Sequence, residues 1–211
     1  MQKPRPCSAA RRIAQGNGDM GVTKVIAVFG LSGVGKSTIL KRVVVESGGL
    51  ATVVNAGVLI GRQTLNDKSS EALRLLPTED IQRNQEILVE ELARERTAIG
   101  AHVLLLDGHC VIDNGDQLVP IPIEIIEQLD LTALVFVQEE AREIRARRLR
   151  DEKRTRPDLS PAELAKQQKQ ALEICDSYAS ELGLPLTVVT TEQWQSVARV
   201  VDDVAMSTGS G

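Results

Sequence analysis

Rings are scarce in this chain of 211 residues: Phe29, Phe136, Tyr178 and Trp194 are its only aromatics. So few rings exclude the stacking platforms that single-strand nucleic-acid binders use. The core must then be built from Val, Ile, Leu and Ala. Cysteine is scarce as well. Cys7, Cys110 and Cys175 form an odd, irregularly spaced set, which is no disulfide framework. A reducing, cytoplasmic compartment is the simplest expectation. The two histidines, His102 and His109, do not complete a tetrahedral zinc set with these cysteines. The net charge is −4, from 25 Lys and Arg against 29 Asp and Glu, which argues against a strongly basic nucleic-acid binder. No run approaches the ~20 apolar residues of a membrane helix, so no membrane partner is expected.

What remains is globular in composition, with 42% hydrophobic and 26% charged residues. The length suits one domain with a core large enough to need no staples. Residues 1–23 carry Lys3, Arg5, Arg11 and Arg12 among Pro and Gly, with no apolar stretch. They read as a disordered tail, with Met20 as a candidate alternative start. Residues 24–206 read as the single domain, and 207–211 as a second flexible end.

Five apolar runs read as strands: Lys24–Phe29, Ala51–Asn55, His102–Asp107, Leu131–Val137 and Leu186–Thr190. None alternates strictly with polar residues, which is how strands buried on both faces of a parallel sheet read. Helical patterns fall between them, so the expected class is α/β, a five-stranded parallel sheet flanked by helices. Ser160-Pro161-Ala162-Glu163 combines a cap, a first-turn Pro and a capping-box Glu. Leu164, Ala171, Leu172, Cys175, Ala179 and Leu182 give that helix its apolar face, and Gly183 can stop it. Thr78-Glu79-Asp80 marks another helix start. Trp194, Val197, Val201 and Val204 form the apolar face of a last helix. Trp194 and Cys175 read as core residues.

Chemistry enters at Gly30-Leu31-Ser32-Gly33-Val34-Gly35-Lys36-Ser37, which fits G-x-x-x-x-G-K-[ST] between an apolar strand and a helical pattern. The glycines let the backbone curl until its N–H groups face phosphate oxygens, and the following helix presents its positive end to the same anion. Gly30, Ser32, Gly33, Val34, Gly35, Lys36, Ser37 and Thr38 are the expected phosphate-binding set. Lys36 reaches the β- and γ-phosphates, and the Ser37 hydroxyl is a ligand for Mg²⁺. The strand His102–Asp107 ends in an acid at the sheet edge where ligands of open α/β sheets bind. Asp107 is therefore expected to hold the Mg²⁺ water shell, with His109 close by.

Residues 138–158 hold Arg142, Arg145, Arg147, Arg148, Arg150, Arg154 and Arg156 among acids. The first half reads as a solvated helix in which Glu139 and Glu143 face Arg147. The second half, up to Pro157, reads as a charged lid, because arginine forks neutralise a phosphoryl group in transfer.

Together these segments resemble the archaeal-type adenylate kinases, compact nucleoside monophosphate kinases with a P-loop fold. The likeness runs from about Val25 to Val189. The loop Gly30–Thr38 matches. Val54-Asn55-Ala56-Gly57 is similar to the family's V-N-F-G, and Leu73-Arg74-Leu75-Leu76-Pro77 to its M-R-K-L segment by the acceptor. Asp107-Gly108-His109 stands for its D-T-H. Arg147-Arg148-Leu149 through Arg154-Thr155-Arg156 is similar to its lid pattern. The chain departs from the family at Ala56, where an aromatic is usual, and over Val111–Pro120.

The resemblance implies a P-loop kinase topology that binds ATP and Mg²⁺. An acceptor-side insert would span about 56–97 and a lid about 150–159. It implies transfer to a small-molecule acceptor, a nucleoside monophosphate with AMP first. Asn55, Gly57, Arg74 and His109 would bind that substrate. Lys36, Arg148, Arg154 and Arg156 would act in catalysis, and Ser37 and Asp107 at the metal. Two other readings fit a phosphate loop: an NTPase switch acting on a protein or RNA partner, and a kinase of another small metabolite. The arginine-bearing lid favours a kinase, and the N-K-x-D element of a guanine-type switch is missing.

Overall fold

The structure, a computed structural model, describes residues 23–63, 78–113, 118–151 and 157–207. In chain order it runs β1 (Lys24–Phe29), α1 (Lys36–Glu46), β2 (Ala51–Asn55), α2 (Ala56–Gln63), α3 (Thr78–Ala98), β3 (Val103–Asp107), β4 (Val111–Asp113), β5 (Leu118–Pro120), α4 (Ile123–Gln128), β6 (Ala133–Val137), α5 (Ala141–Arg150), α6 (Pro161–Leu182), β7 (Leu186–Val189) and α7 (Trp194–Met206). Five strands form one parallel sheet in the order β2-β3-β1-β6-β7. The α/β expectation is met, and all five expected strands are present: β1 and β2 with the expected bounds, and β3, β6 and β7 each shorter at one end by one or two residues. β7 stops at Val189 rather than Thr190 because the Thr190 N–H donates to the Gln193 side chain at 2.9 Å. The antiparallel pair β4–β5 was not foreseen. Three-residue strands are too short for a period to show.

Both faces of the sheet are covered, which is why its strands read as unbroken apolar runs. On one side Ala27, Phe29, Leu104, Leu106 and Phe136 pack with Leu88 and Leu92 of α3, Ile126 of α4 and Ala171 of α6. On the other, Ile26, Val28, Leu105 and Val135 pack with Ile39, Leu40 and Val43 of α1 and Val197 and Val201 of α7. Each fully buried side chain of this size contributes roughly 1.5–3 kcal/mol. Both phenylalanines are core, and Trp194 packs half-buried on the second cluster. Cys175 is buried; its contact with the Cys110 side chain and its burial push the thiol well above its ordinary range. That suits a structural thiol rather than a reactive one.

The capping box is formed. The Ser160 hydroxyl accepts from the Glu163 N–H at 3.3 Å, and the Glu163 carboxylate accepts from the Ser160 N–H at 2.7 Å. Gly183 ends the helix in the left-handed region at φ 65°. Ser160→Ala should cost about 1 kcal/mol, a fall of roughly 2–4 °C in Tm for a chain of this size. Thermal unfolding followed by circular dichroism checks it; an unchanged Tm would mean the cap carries no stability.

The expected tail 1–23 lies outside the described residues up to position 22, as do Arg74, Arg154 and Arg156. No helix of the described residues is long and apolar enough to cross a membrane.

Candidate functional site

The parallel register brings three strand ends together. Asp107 lies beside Val28 of β1 on one side and Asn55 of β2 on the other. The loop after β1 leads directly into α1, so Lys36 and Ser37, the first two helical residues, stand at that same carboxyl edge. The Asp107 carboxylate accepts from the Ser37 hydroxyl and from the Asn55 amide, each at 3.3 Å, and Lys36 Nζ is 3.9 Å away. Lys36 also donates to the Gly30 and Leu31 carbonyls at 3.0 and 3.5 Å. Lys36 and Asp107 are only 7% and 9% exposed. A buried charge pair of this kind stands because each member has other hydrogen bonds.

The loop is shaped for an anion. α1 has no side-chain cap and no acid in its first turn, so no carboxylate competes for its positive end. Gly35 holds φ 107°. A Cβ there would stand 2.7 Å from the Thr191 methyl and 2.9 Å from Arg147 Nη1, so both the conformation and the space require glycine. Ser37 and Asp107 offer two hard oxygen donors 3.3 Å apart, a set that suits Mg²⁺, which is held by few protein oxygens together with water and substrate phosphates.

Helix α5 braces the loop. Arg147 Nη1 donates to the Val34 carbonyl at 2.6 Å, and Arg148 Nε to the Ser32 carbonyl at 2.9 Å. His109 Nδ1 lies 2.7 Å from the Gly30 carbonyl, a contact that needs the proton on Nδ1. Arg147 Nη2 also meets the Glu139 carboxylate at 3.0 Å. Burial alone would raise the Glu139 carboxyl. The Thr191 hydroxyl, the Glu140 N–H and Arg147 outweigh burial and hold it below the ordinary carboxylate range. The clamp is therefore complete above that range and loosens as pH falls through the lowered value.

A cleft of about 530 Å³ opens from this edge. It is lined by the expected Ser32, Gly33, Gly35, Lys36, Ser37, Thr38, Asn55, Gly57, Asp107 and His109. Gly30 and Val34 stand behind that lining and shape the loop. Among the described residues the lining also includes groups the sequence reading missed: Arg147, and Asn84 and Gln85 of α3. The pairing of Arg147 with Glu139 was legible from sequence; its reach across more than a hundred residues to Val34 was not. Asn84 and Gln85 looked like ordinary polar helix residues, and only the helix stripe they share with Leu88 and Leu92 could have marked them.

A family model described as "AAA domain" matches residues 29–165, more than half of the chain. An adenylate kinase of Pyrococcus horikoshii is 26% identical over 187 residues, covering 85% of this chain and 92% of that protein. An adenylate kinase of Methanothermobacter thermautotrophicus is 28% identical over 173 residues, covering 79% and 89%. Among solved structures, a shikimate kinase from Acinetobacter baumannii, in complex with shikimate, superposes with TM-score 0.52 at 16% identity, covering 90% of this chain and 96% of that one. A sugar kinase from a Janibacter species gives 0.51 at 20%, covering 90% and 99%. These two likenesses speak for the fold alone.

Proposed function

This chain belongs to the AAA domain family, to its adenylate kinase-like P-loop kinases, and from that premise we propose that it moves the γ-phosphoryl group of Mg-ATP onto a nucleoside monophosphate, AMP first. One observation carries the reading. Lys36, Ser37 and Asn55 converge on Asp107 at the sheet edge, where the phosphate loop meets one continuous cleft.

In this reading the N–H groups from Gly30 to Thr38 cradle the ATP phosphates, and Lys36 follows the phosphoryl group as it moves. Ser37 and Asp107 would hold Mg²⁺, which when bound neutralises charge on the β- and γ-phosphates. Asn55, Gly57, Arg74 and His109 would hold the acceptor. A strong general base is not needed when the acceptor is already a phosphate anion, because positioning and charge neutralisation do most of the work. Arg148 from the end of α5, and Arg154 and Arg156 from the lid, would add positive charge.

The test is an acceptor screen. ADP formation is measured with Mg-ATP and AMP, with other monophosphates and with no acceptor, then repeated with Arg74→Ala. AMP should raise turnover above basal hydrolysis. Arg74→Ala should raise the KM of the acceptor about tenfold, the worth of one charge-assisted phosphate contact. If no monophosphate raises turnover, the kinase reading gives way to an NTPase that acts on a macromolecular partner.

A further inference from the structure

Glu139 is the second residue after β6 and does not belong to the cleft lining. It is nevertheless held at every polar atom. The Gln168 carboxamide of α6 accepts from the Glu139 N–H at 3.0 Å and donates to the Glu139 carbonyl at 2.9 Å. One side chain thus takes the backbone donor and acceptor that a neighbouring strand would have paired had β6 run on. With its backbone fixed, the carboxylate has one address. Oε1 accepts from the Glu140 N–H at 3.2 Å. Oε2 accepts from Arg147 Nη2 at 3.0 Å and from the Thr191 hydroxyl.

Both partners of Oε2 press on the same point of the phosphate loop. Arg147 Nη1 donates to the Val34 carbonyl at 2.6 Å. The Thr191 methyl and Arg147 Nη1 are the atoms nearest to where a Gly35 Cβ would stand, at 2.7 and 2.9 Å. Val34 and Gly35 share one peptide, directly before Lys36. An arginine does not hold such a place unaided. Its long stem has many rotamers, and the Arg147 side chain is 33% exposed. The Glu139 side chain is only 14% exposed, so the pair is screened less than one on the open surface. The guanidinium is planar, which fixes the angle between the nitrogen on the carboxylate and the nitrogen on the loop. Arg147 is therefore a stiff link, and Glu139 is the end of it that does not move.

We propose that Glu139 is a positioning residue of the phosphate loop: through Arg147 and Thr191 it fixes the Val34–Gly35 peptide, and so sets how tightly the loop takes the triphosphate. It touches no substrate itself. The proposal rests on the phosphate-loop kinase reading above and adds the residue that keeps the anion cradle in shape. Without the carboxylate, Lys36 keeps its contacts with the Gly30 and Leu31 carbonyls, and Ser37 keeps Asp107. Binding should therefore weaken while the chemical step survives.

The experiment uses the full chain. Calorimetry with Mg²⁺ and the non-hydrolysable β,γ-imido analogue of ATP gives Kd, and turnover of Mg-ATP with AMP gives KM and kcat. Wild type is compared with Glu139→Ala and with Glu139→Gln, which keeps the size and an acceptor oxygen for Arg147 and Thr191. Both are also made in an Arg147→Met background, with Arg147→Met alone completing the cycle. Melting temperature is recorded for each, and Glu139→Gln and its cycle decide if Glu139→Ala fails to fold. Glu139→Ala should raise Kd and the KM for ATP about tenfold, the worth of one charge-assisted contact passed on through Arg147. The change in kcat should stay below about threefold, and Glu139→Gln should recover part of the loss. With Arg147 already gone, either change should raise Kd by no more than about twofold, the share left to Thr191. Folded variants with the wild-type Kd would overturn the assignment. So would equal losses in the two backgrounds, which mark a general effect on the fold, or a fall in kcat at constant Kd and KM. A wild-type protein that binds the analogue but phosphorylates no monophosphate would overturn the kinase reading alone. One that does not bind the analogue would overturn both.

Discussion

Lys36→Ala should lower turnover at least ~100-fold while Tm moves by no more than a few degrees. The ammonium group is buried, held by the Gly30 and Leu31 carbonyls, and stands 3.9 Å from Asp107. It is therefore oriented before any nucleotide arrives, and a preorganised charge in a water-poor cleft is worth far more than the same charge in water. Losing one preorganised donor of this kind typically costs 10²–10³ in rate. The fold should tolerate the change because Asp107 keeps its hydrogen bonds from Ser37 and Asn55, so no carboxylate is stranded. ADP release at saturating Mg-ATP and a melting curve decide it. A folded variant that turns over like wild type would remove the phosphate-loop assignment.

Gly30→Ala should act on the fold itself. Gly30 holds φ 144°, and a Cβ there would lie 2.4 Å from the Val137 carbonyl oxygen. That oxygen is backbone at the end of a central strand and cannot swing aside. Backbone strain and overpacking each cost roughly 1–3 kcal/mol, so a combined loss of about 3 kcal/mol or more is expected. For a chain of this size that is a fall of roughly 6–12 °C in Tm. Nucleotide binding should weaken too, because the Gly30 carbonyl anchors both Lys36 and His109. Gly100→Ala is the control. It has nothing within 4 Å of the added atom, and its Tm should stay within about 3 °C. Equal melting curves for the two variants would show that the steric argument is wrong.

Sequence alone carried the parts of this molecule that are local. The loop Gly30–Thr38, the strand that feeds it and the capping box at Ser160 each depend on residues a few positions apart, so their chemistry is written in order along the chain. Asp107 was also legible, because a parallel strand's last residue has one address, the carboxyl edge. What stayed hidden was non-local or too short to repeat. Arg147 announced its pairing with Glu139, eight residues back, but its contact with Val34 depends on how α5 packs beside the loop. The β4–β5 pair has three residues to a strand. Asn84 and Gln85 became conspicuous only when α3 was seen to bury them.

The contacts that His109, Arg147 and Arg148 make on the loop's carbonyls also limit how its peptide planes can rotate. A trans peptide is a rigid plate with its oxygen and its hydrogen on opposite edges. His109, Arg148 and Arg147 hold the oxygens of Gly30, Ser32 and Val34. Each such hold also fixes the hydrogen of the next residue, at Leu31, Gly33 and Gly35, on the far edge of the plate. Three alternate plates along the curl are thereby held in place. An arriving anion meets peptide planes that are already fixed, and its affinity is less reduced by the entropy of ordering them.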